Sequence, residues 1–292
     1  MSDTFVTASP HWTWYIIPYF FVGGVAGGAY FLAAVLEWFG RPEDRPVIRT
    51  GYALAFWGAV LSGLLLTLDL GRSLRFWHMI FQSEHFPSLM FKSWSPISFG
   101  AWAILLFGAC AFVSWYSDKS GAVFSRLVAA VGGLLGFFVA GYTGVLLSVT
   151  NRPIWADSPW LGALFLASGA STGAAALALF APGRGAAQSS LRWLSSFDTQ
   201  ALVVELLLLI VFFVSLGSVA KAWLSIWGVL LVVGVVGAGI LWPLRLHFKP
   251  AGAGALRNPA VMVLVGGFLL RVVVLLASNS IEFQHVASGS AR

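Results

Sequence analysis

The sequence predicts an all-α integral membrane protein in which eight transmembrane helices form two four-helix bundles. Three observations carry this prediction. Hydrophobic residues make up 59% of the 292-residue chain, charged residues only 10%, and the mean hydropathy is +0.86, whereas soluble domains carry about 25% charged residues. Eight apolar runs reach the roughly 20 residues that span the hydrocarbon core. Many of the 14 tryptophans lie near the ends of these runs, as an interfacial aromatic belt requires.

Each apolar run is expected to form a helix, because the bilayer core offers no water to satisfy an open backbone. The runs cover residues 12–38, 51–70, 95–115, 124–149, 159–180, 197–216, 222–242 and 259–277. Residues 1–10 contain no Lys or Arg, so we expect no cleavable signal peptide and a first run that remains as a helix. The longest connection, residues 71–94, contains several large apolar side chains and is expected to lie along the membrane interface.

The distribution of Lys and Arg predicts the orientation. The helix ends facing one side of the membrane carry ten of these residues, and the ends facing the other side carry six, including the C-terminal Arg292. Because basic residues are enriched on the cytoplasmic side, both termini are expected to lie on the outer side. Arg72, Arg75 and Lys92 run against this rule, and such an exception is typical of a docking or active surface.

An internal repeat is predicted from two segments that match at a single offset, residues 23–33 and 168–178. The identical pairs are Gly24/Gly169, Gly28/Gly173, Ala29/Ala174, Leu32/Leu177 and Ala33/Ala178. The two segments lie four helices apart in the chain and therefore cross the membrane in the same direction, so the repeat would be parallel. It predicts a first bundle at residues 1–155 and a second at 156–292. Chance alignment of small residues, which are common where membrane helices pack, is the alternative.

Polar side chains gather in the outer layer of the first bundle. Tyr15 and Tyr19 occupy the outer turns of the first run, with His11 just before them, and Asp69 ends the second run. Tyr142 lies about two turns below the outer surface. A quinone needs donors to two carbonyl oxygens, a route for two protons and an apolar slot for its tail. These five residues therefore predict a quinone site, the alternative being ordinary interfacial Tyr and His side chains.

The stretch at 68–77, Leu-Asp-Leu-Gly-Arg-Ser-Leu-Arg-Phe-Trp, places an acid where hydrocarbon meets water. Charged groups cost free energy there, and a chain that keeps them favours a functional explanation. An interfacial ion pair between Asp69 and Arg72 that ends the helix is the other interpretation.

Metal cofactors are not expected on this chain. Its single cysteine, Cys110, rules out an iron–sulfur ligand set and a zinc site of the usual spacing. A membrane b-haem needs histidines that face each other inside the bundle, and no His lies deep in a run; the five are His11, His78, His85, His247 and His285. The net charge of +6 is spread over the loops, which indicates contact with lipid headgroups and not nucleic-acid binding.

Two charges are predicted to lie deep in the second bundle. Arg271 is near mid-membrane, where an isolated charge costs several kcal/mol. Glu205 is the nearest acid in depth, about 6 Å away along the membrane normal, so we expect the two to pair or to share a water-filled cavity. Glu205 and Arg271 could form a structural ion pair or belong to a proton route, and the sequence does not choose between these two roles. Glu37, at the inner end of the first run, is either the mouth of that route or an interfacial acid. Asp69 is also assigned to the route.

Five pieces, in order over nearly the whole chain, resemble the membrane subunit family of polysulfide reductase and the NrfD-type nitrite reductase complex. They are Gly-Gly-Ala-Tyr at 27–30, Asp-Leu-Gly-Arg at 69–72 with Arg-Phe-Trp-His at 75–78, Ser-Pro-Ile-Ser at 95–98, Gly-Tyr-Thr-Gly at 141–144 with Asn-Arg-Pro at 151–153, and Gly-Gly-Phe-Leu-Leu-Arg at 266–271. The second is the most specific. Members of the family tend to place His or Asn in the outer part of the first helix, where this chain has Tyr15 and Tyr19.

The resemblance implies two four-helix bundles with a haem-free quinone or menaquinone site near the outer surface of the first. It also implies a partner, a ferredoxin-like subunit with four iron–sulfur clusters, which relays electrons to or from a molybdenum-type or other catalytic subunit. Arg72, Arg75 and His78 are expected to face this partner. The expected location is the cytoplasmic membrane of a bacterium or archaeon, with the partners on the outer, periplasmic side.

The expected function is therefore a quinone-reactive membrane anchor subunit of a respiratory oxidoreductase, with proton translocation as a possible addition. The terminal substrate would be handled by another subunit. The alternative is a secondary transporter, in which buried Glu205 and Arg271 would serve an ion or solute. Helices broken at mid-membrane would favour the transporter, yet Pro153, Pro182 and Pro243 fall at predicted ends or in loops.

Overall fold

The computed structural model describes residues 12, 14–82, 84–85, 87–117, 125–247 and 257–289. This part of the chain contains eight helices long and apolar enough to cross a membrane. They are Ile16–Phe39, Pro42–Asp69, Pro96–Ser117, Arg126–Ser148, Leu161–Phe180, Gln188–Ser215, Ile226–His247 and Arg257–Ser278. The predicted all-helical class and the number of spans are thereby confirmed. The sides on which the termini lie stay a prediction.

Each of the first six spans contains one α-helix, and in the second span a 3-10 turn, Pro42–Asp44, precedes it. The α-helices are α1 (Ile16–Phe39), α2 (Arg45–Asp69), α3 (Pro96–Ser117), α4 (Ser125–Ser148), α5 (Leu161–Phe180) and α6 (Gln188–Ser215). The sequence prediction began α2 at residue 51 and α6 at residue 197, because it followed apolar side chains alone. A helix continues past the hydrocarbon wherever its backbone bonds are satisfied. In α2 a proline in the first turn favours the early start.

The seventh span is not a uniform α-helix. It begins as α7 (Ile226–Val229), continues as a π-helix over Leu230–Leu241 and ends as α8 (Trp242–His247). Gly239 in the wide π-segment lies directly against Gly266 of the last helix, α9 (Arg257–Gly289), and a Cβ on either glycine would collide with the other's backbone. The span changes its winding without interruption and stays helical throughout.

Helix α1 occupies the centre of the molecule and packs against α2, α4, α5 and α9. Its glycines make this possible. A Cβ at Gly27 would collide with the carbonyl oxygen of Gly136 in α4, and a Cβ at Gly28 would collide with that of Gly169 in α5. Small residues at such spacing allow backbones to approach closely where lipid provides no hydrophobic drive for association. The Gly-Gly-Ala-Tyr piece thus allows α1 to pack closely against α4 and α5.

The contacts between α1 and α5 join residues that the proposed repeat makes equivalent. A Cβ at Gly24 would lie 3.6 Å from the Cα of Gly169, and a Cβ at Gly173 would collide with the backbone of Gly28. Helix α5 also packs against α6 and α9. A parallel repeat would produce such pairings, but the repeat itself and the division between residues 155 and 156 stay predictions.

Candidate functional site

The two ends of the helical array carry different residues. Helices α1 and α3 begin, and α2 and α4 finish, at what we call the Tyr19 end. The opposite end, here the Arg184 end, holds the end of α1, the start of α2 and the turn Pro182–Arg184 after α5. The predicted quinone site belongs to the Tyr19 end.

Tyr142 joins α4 to the first turn of α3. Its hydroxyl donates a hydrogen bond to the carbonyl oxygen of Pro96 at 2.5 Å. Its ring covers Gly100, where a Cβ would collide with the ring, and stacks on Phe138 with the ring centroids 5.4 Å apart. The side chain is buried. Tyr142 is therefore rigidly placed, with its only proton already engaged.

Tyr19 lies beside Tyr142. It is only 3% exposed, and the two phenols are close enough to interact electrostatically. Its ring also packs on Phe20, 5.4 Å away between centroids. Within the described part of the chain, the Tyr19 hydroxyl has no hydrogen-bond partner. Tyr19 therefore has a donor to offer to a ligand, whereas Tyr142 would have to exchange its bond to Pro96.

The other predicted quinone ligands are placed less closely. Asp69 is the last residue of α2 and is half-buried at the Tyr19 end. Tyr15 precedes α1 and is 47% exposed. His11 lies outside the described residues. The structure thus brings Tyr19 and Tyr142 together, sets Asp69 at the same end and places Tyr15 on the surface.

The predicted docking residues lie on a 3-10 turn, Ser73–Met79, that follows α2 at the Tyr19 end. Arg72 and Arg75 are exposed, and His78 is half-buried with its ring edge-on to Trp77 at 3.8 Å between centroids. Leu74 is 90% exposed. Exposed Arg and large apolar or aromatic side chains are the composition of protein interfaces.

Arg271 and Glu205 both lie beside Ser168 of α5. The guanidinium of Arg271 donates from Nη1 to Ser168 Oγ at 2.6 Å and to the Gly267 carbonyl at 2.7 Å. Ser168 is also the side-chain hydrogen-bond partner of Glu205, and the two charges interact electrostatically. All three side chains are buried. Among the described residues no ion pair joins Glu205 directly to Arg271. The two groups interact electrostatically beside Ser168, and their direct pairing stays a prediction.

A second buried acid, Asp198, was missed by the sequence analysis. Ser171 Oγ donates to Asp198 Oδ1 at 2.7 Å, and His247 Nε2 lies 3.7 Å from Asp198 Oδ2. The other ring nitrogen of this histidine is 3.1 Å from Thr199 Oγ1. Asp198 lies two turns of α6 from Glu205, with which it interacts electrostatically. It was missed because the sixth run was expected to begin at residue 197, which made Asp198 look interfacial.

Glu37, the predicted mouth of a proton route, is engaged at the Arg184 end. Its carboxylate accepts a hydrogen bond from Arg45 Nη1 at 2.6 Å. It also interacts electrostatically with Tyr30, whose hydroxyl lies 2.6 Å from Ser114 Oγ and donates to the Val128 carbonyl at 3.2 Å. These contacts fit the interpretation of Glu37 as an interfacial acid.

No cluster of three or more His, Cys, Asp or Glu side chains that could hold a metal ion occurs in the part of the chain that the structure describes.

The chain is similar to known proteins over nearly its full length. The family model for polysulphide reductase, NrfD, matches residues 3–281. The C subunit of polysulfide reductase from Wolinella succinogenes is 29% identical, over 92% of this chain and 94% of that protein. An NrfD homolog of Haemophilus influenzae is 29% identical over 94% and 96%, and NrfD of Escherichia coli is 28% identical over 90% and 92%. This chain therefore belongs to the polysulphide reductase NrfD family.

Proposed function

We propose that this chain is the membrane subunit of a multi-subunit respiratory oxidoreductase and exchanges electrons and protons between membrane quinone and an iron–sulfur partner subunit. Membership of the family supports the coarser part, a subunit of an oxidoreductase complex. The relatives are named as reductase or NrfD proteins, which supports this proposal over a secondary transporter. The quinone site and the partner rest on the residues of this chain.

The observation that carries the quinone proposal is the pair of buried phenols at the Tyr19 end. A bound quinone supplies a redox couple of two electrons and two protons. Tyr19 has a hydroxyl proton without a partner among the described residues, so it can donate to a carbonyl oxygen of the ring. Tyr142, held by Pro96, fixes the wall of the site. Asp69 at the same end is the candidate proton acceptor.

The test is the kinetics of quinol oxidation or quinone reduction by the purified complex with Tyr19→Phe. Loss of one hydrogen bond of about 1 kcal/mol should raise KM for the quinone about fivefold. Tyr142→Phe should act mainly on kcat, because it loosens the wall of the site and leaves the Tyr19 donor in place. Asp69→Asn should lower kcat with little change in KM.

Tyr30→Phe is the matched control, because Tyr30 is also a buried, hydrogen-bonded phenol but lies toward the Arg184 end. It should leave both kinetic constants near those of the unaltered protein. The quinone assignment would be rejected if Tyr19→Phe, Tyr142→Phe and Asp69→Asn all behaved like Tyr30→Phe.

The exposed turn that follows α2 supports a docking role. We expect a ferredoxin-like subunit with four iron–sulfur clusters to contact Arg72, Arg75 and His78, and to pass electrons to or from a molybdenum-type or other catalytic subunit. The membrane would be the cytoplasmic membrane, with these partners on its outer side. Affinity purification in a mild detergent, followed by mass spectrometry, should recover both subunits. Recovery of this chain alone would contradict the anchor proposal.

Proton translocation is a further part of the proposal. The residues Asp198, Glu205 and Arg271 are buried in the membrane-spanning part of the second half of the chain, and Ser168 and Ser171 of α5 bond to them. Buried ionisable groups in membrane helices are expensive and mark ion or proton routes more often than chance. His247, at the end of the seventh span, adjoins Asp198 and is the group that would pass protons to these buried residues.

A further inference from the structure

A groove of about 510 Å³ opens between α1, α2, α5 and α9. Its walls are almost entirely apolar. The lining residues from α2, the longest wall, are Thr50, Ala53, Leu54, Trp57, Gly58 and Leu61. Of the residues predicted for the quinone, the four that the structure describes, Tyr15, Tyr19, Asp69 and Tyr142, do not contribute to the lining. The groove is thus separate from the proposed redox site, and it joins helices of the two halves of the chain.

One end of the groove carries a cation. Arg184, in the turn after α5, lines it and is exposed. Its Nη1 donates to the carbonyl oxygen of Arg49 at 3.0 Å, which holds the guanidinium across the ends of α2 and α5. In the described residues no carboxylate forms an ion pair with Arg184. By contrast, Arg45 at the same end is neutralised by Glu37.

The depth of the groove matches one leaflet of a bilayer. From Thr50 to Leu61 the α2 wall rises about 16 Å at 1.5 Å per residue. The hydrocarbon core is about 30 Å thick, so the groove extends from the Arg184 end to about the midplane. An acyl chain anchored by a headgroup at Arg184 would fill the groove along its length.

We propose that this groove binds an anionic phospholipid, with the phosphate at Arg184 and an acyl chain between the two halves of the chain. A guanidinium is well suited to phosphate, because its N–H groups donate two parallel hydrogen bonds. Basic pockets between helices at a membrane surface bind anionic headgroups on the same principle. The lipid would then hold α1 and α2 against α5 and α9. A neutral quinone could accept a hydrogen bond from Arg184 but could not form an ion pair with it.

The test compares lipids and variants in the intact chain purified in detergent. Delipidated protein is titrated with phosphatidylglycerol or with phosphatidylcholine, and bound lipid is counted by native mass spectrometry. Phosphatidylglycerol should be retained and should raise the melting temperature more than phosphatidylcholine. Arg184→Gln should weaken its retention about tenfold, since charge-assisted hydrogen bonds are lost, and Arg184→Lys should keep part of it.

Arg192→Gln is the matched control, because Arg192 is exposed on α6 near the same end but does not line the groove. It should bind phosphatidylglycerol like the unaltered protein, and all variants should melt alike without lipid. Equal losses for Arg184→Gln and Arg192→Gln would overturn the proposal. Equal binding of the two lipids, or retention of a quinone that Arg184→Gln does not weaken, would overturn it as well.

Discussion

At the scale of single residues, the position of Ser168 beside both Glu205 and Arg271 has the clearest consequence. A serine hydroxyl accepts one hydrogen bond and donates another, so it can lie between a guanidinium and a carboxylate. Ser168 accepts from Arg271 and is bonded to Glu205. The carboxylate is thus held near its counter-charge and stays able to take up and release a proton.

Glu205→Gln separates structure from proton movement. Glutamine has the same shape and can still bond to Ser168, but it cannot ionise, so translocation of protons beyond those released by quinol should stop. Quinol turnover itself should continue, because the phenols at the Tyr19 end are untouched. Reconstitution of the complex in liposomes with a pH-sensitive dye inside measures both rates.

Two further substitutions complete this experiment. Glu43→Gln is the control, since Glu43 is exposed and accepts a hydrogen bond from Ser189, away from Asp198, Glu205 and Arg271. It should change neither proton translocation nor quinol turnover. Glu37→Gln distinguishes the two interpretations of Glu37. An effect like that of Glu205→Gln would make it the mouth of the route, and no effect would make it an interfacial acid. Unchanged translocation in Glu205→Gln would refute the proton route.

At the scale of secondary-structure elements, the position of α1 depends on glycine. Backbone of α4 lies against Gly27, and backbone of α5 lies against Gly28. Four helices pack against α1, so a side chain introduced at either glycine would displace more than one neighbouring helix. The same principle recurs where Gly239 meets Gly266 between the π-segment and α9.

A single methyl group tests this packing. Gly28→Ala should lower the free energy of unfolding by about 1–3 kcal/mol, because the added Cβ meets the Gly169 carbonyl in a packed core. Gly63→Ala in α2 is the matched control, since nothing lies within 4 Å of a Cβ there. That change should be neutral or stabilise by up to about 1 kcal/mol, because alanine favours helix. Thermal unfolding in detergent measures both; equal melting temperatures would contradict the packing argument.

At the scale of the whole molecule, the two ends offer surfaces of different kinds. The Tyr19 end exposes Arg72 and Arg75 beside large apolar side chains, outside the spans. The Arg184 end carries the groove mouth and the paired charges of α1 and α2. A protein partner fits the first surface, and lipid headgroups fit the second.

Charge reversal at the docking turn should separate assembly from folding. The double substitution Arg72→Glu and Arg75→Glu should reduce recovery of the iron–sulfur partner at least about tenfold, since like-charge contacts cost several kcal/mol. The melting temperature of the isolated chain should stay unchanged, because both side chains are exposed. Lys221→Glu, at the same end but after α6, is the control. Equal recovery with both variants would move the docking surface elsewhere.

The amino-acid sequence was sufficient to predict the eight spans and the family, because the bilayer forces long apolar runs into helices and the short motifs lie within single elements. It also pointed to Glu205 and Arg271, since isolated charges in apolar runs are conspicuous. Which side chains contact each other could be learned only from the folded structure. Trp155 Nε1, for example, donates to the carbonyl of Val274, 119 residues away.

Tertiary packing also explains the other features that the sequence analysis did not predict. The neighbours of Asp198, the place of Ser168 beside two charges and the groove beneath Arg184 all depend on how α5 packs against α1, α6 and α9. Packing in lipid is guided by small residues and a few hydrogen bonds and not by a hydrophobic stripe. A one-dimensional pattern therefore predicts each helix well and says little about which faces touch.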